Sequence, residues 1–196
     1  MFKKIIFTVC LISSLFVAHS ALAQDVDKQL QSIGAYNSNV NENLSTGKLY
    51  VHRLTLNSPN SDAHSKIWGG LSKYQENANF YFELRDGLPI LKKVIIVSEI
   101  TNRQAYTDFL YDEQGVAMLC MYQHDIAKTT ESASRYYYNN KRLIQVSRGT
   151  LEDTKYLKEA EFVTQDVQSG IEMLARAESF KKIFDAVVRV QAPTTK

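Results

Sequence analysis

The chain is poor in cysteine, with 2 among 196 residues, and this excludes a small fold held together by disulfides. It has no run of about 18 or more apolar residues, so it lacks the usual signature of a membrane-spanning helix. It lacks a Gly-x-Ser-x-Gly nucleophile elbow, and its one adjacent glycine pair, Gly69-Gly70, has no following Lys-Ser/Thr to cradle a phosphate. What it does have is apolar content: 44% hydrophobic residues, enough to build a core and to exclude wholesale disorder.

Residues 1–23 have the layout of a secretory signal peptide. Lys3 and Lys4 precede an apolar stretch from Ile5 to Val17, and the segment closes on Ala21-Leu22-Ala23. Thirteen apolar residues in a helix reach only about 20 Å of the roughly 30 Å a bilayer requires, which favours a leader over an anchor. Cleavage is expected before Gln24, giving a periplasmic or secreted protein of 173 residues, and the leader looks bacterial. The leader carries two of the 23 basic residues and none of the 21 acidic ones, so the exported chain has 21 of each and no net charge. A nucleic-acid partner is therefore not expected, since it normally calls for a basic surplus. Cys120 is the thiol left after cleavage. It lies between Leu119 and Met121, a setting for a buried and inert side chain.

Residues 24–46 are rich in Asn, Gln and Ser, and with Gly34 they predict a loosely ordered lead-in, with at most a short helix over 25–32. A single domain is expected over 47–192. Around residues 48–56, Tyr50, His52 and Leu54 alternate with Val51 and Arg53 as in a strand. Three hairpins follow. Phe80, Phe82 and Leu84 lead into Asp86-Gly87. Residues 106–111 lead into Asp112-Glu113-Gln114-Gly115. Residues 135–138 lead into Asn139-Asn140. Each outgoing arm carries aromatic-x-aromatic (Phe80/Phe82, Phe109/Tyr111, Tyr136/Tyr138), which suggests three diverged copies of one unit. Over residues 77–148 these units resemble YD-type and MORN-type repeats through Tyr111-Asp112-Glu113-Gln114-Gly115 and Tyr138-Asn139-Asn140. The third copy lacks the glycine, and no copy matches beyond the turn.

From Thr150 the pattern predicts a helix capped by the Thr150 hydroxyl on Asp153, with Tyr156, Ala160, Val163 and Val167 turned inward. After a break near Gly170, a second helix is expected with Ile171, Leu174, Ala177, Phe180, Ile183, Phe184 and Val187 on its packed side. Residues 193–196 are expected to form a frayed tail. The fold class that results is α+β: an antiparallel β-meander of six to eight strands over about 47–148, covered on one face by two C-terminal helices over about 151–190.

Chemistry-bearing residues are sparse. His52, His64 and His124 show no i, i+4 or His-x-His spacing, so no metal or cofactor site is expected. Asp108 and Asp112 fall about 13 Å apart on one strand face, too far for a glycosidase carboxylate pair. Three residues stand out as candidate binding groups for a protein, lipid or small-molecule partner: Trp68 beside Gly69-Gly70, Tyr137 facing away from Tyr136 and Tyr138, and His124 at a strand end. The reading that follows is a small exported binding module without catalytic machinery. One alternative is a secreted hydrolase using His124 or His64 with Asp125 or Asp108. Another is a structural subunit of a cell-envelope assembly, held through the Phe180–Phe184 stripe.

Overall fold

The computed structural model describes residues 25–56, 74–100, 103–123, 133–150 and 153–188. The expected leader, Trp68, His64, His124, Asp125 and the tail lie outside these residues. The chain divides into two compact units, Met1–Tyr36 and Asn37–Lys196. In the first unit residues 25–36 are helical, with Gln29 Nε2 donating to Asp25 Oδ2 one turn back at 2.9 Å.

In the second unit residues 37–45 are helical, and this helix is α1. This segment is where the sequence suggests a loose lead-in, and tertiary contacts overcome the weak helix propensity of its asparagines. Val40 is buried, and Asn37 and Asn41, one turn apart, both accept hydrogen bonds from Lys93 Nζ. The helix ends in a Schellman motif: Lys48 N–H donates to Asn43 O and Gly47 N–H to Leu44 O, with Gly47 at φ 69°.

Eight strands follow: β1 (Tyr50–Leu56), β2 (Tyr74–Arg85), β3 (Leu88–Ile100), β4 (Arg103–Tyr111), β5 (Ala117–Gln123), β6 (Ala133–Asn139), β7 (Arg142–Gly149) and β8 (Thr154–Lys158). They form one antiparallel sheet in sequence order, the meander expected of this α+β chain. One row of directly opposed residues crosses all of it: His52, Phe80, Val94, Phe109, Cys120, Tyr136, Val146 and Leu157. From Phe80 to Leu157 every member is buried, and this row is the spine of the core.

The three hairpins share a defect. In each, the register shifts just before the second aromatic of the pair, at Tyr81/Phe82, Leu110/Tyr111 and Tyr137/Tyr138. The residue left over on the return strand is Lys92, Met118 or Ile144, spaced 26 residues apart each time. A bulge at the same place in every copy bends the sheet in one sense and supports the three-unit reading. The third turn falls at Asn140 and Lys141 (φ 47° and 69°), one residue later than the sequence suggests, because Asn139 still pairs with Arg142.

Residues 154–158 correct the expected first helix. They pair with β7 as an eighth strand, with Leu157 inward. The Thr150 hydroxyl does accept from Asp153 N–H at 3.1 Å, but the turn it closes joins two strands. Gly149 permits that turn: at φ 139°, a Cβ there would sit 1.9 Å from the Asp153 carbonyl oxygen. After a 3₁₀ turn at Glu159–Glu161 comes one helix, α2 (Thr164–Val188), in place of two. It passes through Gly170 unbroken, and the glycine there makes room for Leu143: a Cβ would lie 2.8 Å from Leu143 Cδ2.

α2 lies across the face that carries the spine. Ala177, Phe180 and Phe184 are buried there, with the Phe80 ring 6.1 Å from both Phe180 and Phe184. Two buried phenols pin the helix backbone: Tyr111 donates to Ala177 O and Tyr138 to Gly170 O, each at 2.7 Å. Arg148 pairs with the buried Asp166, and Arg176 with Glu76. The 180–184 stripe is thus core, which removes the surface on which the envelope-assembly alternative rested. The residues expected inward from the first helix, Tyr156, Val163 and Val167, are exposed, as is Ile171.

Candidate binding face

The sheet's other face is built from the alternate residues. Its centre is polar and covered: Lys93, 3% exposed, forms a 2.7 Å salt bridge with Asp108, and Tyr106 donates to the same carboxylate at 3.3 Å. With Asn37 and Asn41 accepting as well, the Lys93 ammonium is fully used. Burial pushes the Asp108 carboxyl above its ordinary value, the nearby lysine opposing, and burial also pushes the Tyr106 phenol up. This cluster is a structural pin between residues 37–41 and the sheet, and Asp108 is committed to it.

Toward β8 the same face carries two adjacent rows. One runs Leu119, Tyr137, Gln145, Lys158; the next runs Met121, Arg135, Ser147, Tyr156. Strands stand about 4.8 Å apart, so β5 to β8 offer a face about 14 Å wide. Tyr137 sits at its middle, partly exposed, and Tyr156 is exposed beside it. Burial raises the Tyr137 phenol above its ordinary value, while the positive charge of Arg135 pulls the other way. The face presents tyrosine hydroxyls, the thioether of Met121, and the basic side chains of Arg135 and Lys158. Among the described residues of β5–β8 it carries no carboxylate.

Such an arrangement binds through stacking, hydrogen bonds and charge. Cys120, the one free cysteine among the described residues, belongs to the opposite face. It is fully buried, burial pushes its thiol far above the ordinary value, and its Sγ lies 3.9 Å from Met173 O. His52 faces the α2 side, its ring 6.4 Å from that of Phe80. Among the described residues no group of three or more His, Cys, Asp or Glu could hold a metal ion, and no helix is long and apolar enough to cross a membrane.

Of the three candidates from sequence, Tyr137 lies on this face as its alternation implies, while Trp68 and His124 lie outside the described residues. Sequence reasoning missed Arg135, Tyr156 and Lys158 as its neighbours. The signal was the alternation Lys155, Tyr156, Leu157, Lys158, masked by a helix-cap pattern at Thr150. No family model, curated protein or solved structure matches the chain.

Proposed function

We propose that the protein is an exported binding module whose partner seats on the β5–β8 face around Tyr137. The observation that carries this is a half-buried tyrosine sharing a sheet face with Arg135 and an exposed Tyr156, a face that α2 does not cover. Tyrosine and arginine anchor interfaces because they bring large contact area together with hydrogen-bond donors. Export rests on the leader-like layout of residues 1–23, and it places the partner in the periplasm or outside the cell.

The test is native mass spectrometry of the protein purified from its own host, beside Tyr137→Ala. The wild type is expected to carry a bound partner that the variant loses, with unchanged circular dichroism. A bound partner retained equally by both would refute the assignment of the face. Sequencing the amino terminus of the same preparation tests export: Gln24 as first residue supports it, and an intact Met1 refutes it.

A further inference from the structure

We infer that the partner on this face is a second copy of the same chain, presenting the exposed flank of α2. This rests on the assignment of the β5–β8 face above and names its occupant. Val167 and Ile171 stand one turn apart on α2, 42% and 58% exposed, and Val163, 58% exposed, lies just ahead of the helix with its carbonyl accepting from Val167 N–H. Three large aliphatic side chains spaced four residues apart form an apolar strip, whereas isolated exposed ones carry no such meaning. Glu172, exposed, borders the strip and forms no salt bridge among the described residues, its carboxylate accepting only from Gln168 Nε2 one turn back at 2.9 Å. The β5–β8 face is complementary: Leu119, Met121, Tyr137 and Tyr156 supply apolar surface, and Arg135 and Lys158 supply cations that likewise form no salt bridge among the described residues.

The two surfaces lie on opposite sides of the sheet, since α2 packs against the face of Tyr136 and Tyr138 whereas Tyr137 points away from it. One chain cannot satisfy both within itself. A strip-on-face contact is heterologous, so it repeats: each added copy leaves one strip and one face open at the ends. Glu172 would pair with Arg135 or Lys158 at the rim, sensitive to salt, around a core of aliphatic and tyrosine side chains.

Sedimentation velocity of the full chain isolated from its host, over a concentration series at low and high ionic strength, tests this. The wild type is expected to form a concentration-dependent series beyond the dimer, shortened by high salt. Ile171→Glu disables the strip and Arg135→Glu the face, so each alone is expected to be monomeric with native circular dichroism. An equimolar mixture of the two recovers dimers and nothing larger, because one intact strip meets one intact face. A wild type monomeric at all concentrations, a dimer that stops there, or an Arg135→Glu variant that assembles normally each overturns the inference. Those outcomes leave the reading of the face intact if Tyr137→Ala still loses a different bound partner. If Tyr137→Ala loses nothing, that reading fails too.

Discussion

Replacing Lys93 with methionine should cost about 3–5 kcal/mol, because it leaves the Asp108 charge buried without its counterion. At the 2.7 Å separation, two unit charges attract by about 6 kcal/mol at an effective dielectric constant near 20, and most of that offsets the cost of removing both from water. The pair is therefore of small net value, but breaking it on one side is expensive. The double variant Lys93→Met/Asp108→Leu should lie within about 1–2 kcal/mol of the wild type, because neither charge is then buried. Acid provides an independent check. The folded-state pKa of Asp108 is raised, so the folded chain holds the extra proton, and stability through this group rises as pH falls. Removing Lys93 takes away the one nearby positive charge that opposes that rise. The deficit of Lys93→Met should therefore be largest at neutral pH and shrink on acidification, closing once pH has fallen through the raised folded-state pKa of Asp108. Urea denaturation of the three chains across pH measures this. A deficit that does not change with pH, or a double variant as unstable as the single, would refute the reasoning.

Tyr138→Phe should cost about 1 kcal/mol in urea denaturation, since Gly170 O also has a partner within the helix and only the phenol's hydrogen bond is lost. Cys120 should resist thiol reagents in the native protein and react once denatured, because burial holds it as the neutral thiol; rapid native labelling would contradict its place in the core. Phe184→Asp should abolish cooperative thermal unfolding, whereas Ile171→Asp, on the exposed flank of the same helix, should shift the melting midpoint by only a few degrees.

The hairpins were legible because their signals are local. Asp86-Gly87 and the Asp112–Gly115 turn are written in four residues or fewer, and the aromatic pairs mark the buried side of each arm. The α1 helix was not legible, because what holds residues 37–45 is Lys93, more than fifty residues away, together with a cap completed by Lys48. β8 was misread for a related reason. Thr150 has the same hydrogen bond to Asp153 in a turn as in a helix cap, and only pairing with β7 decides between them. The candidate face was half legible: alternation along β6 places Tyr137 and Arg135 on one side, but Tyr156 and Lys158 join them only through cross-strand register.

The most direct measurement is tyrosine nitration, mapped by mass spectrometry, on the protein as isolated with its partner and again after dissociation. Tyr137 and Tyr156 should be protected in the first state and modified in the second, while the buried Tyr111 and Tyr138 stay unmodified in both. Equal modification of Tyr137 in the two states would contradict the account.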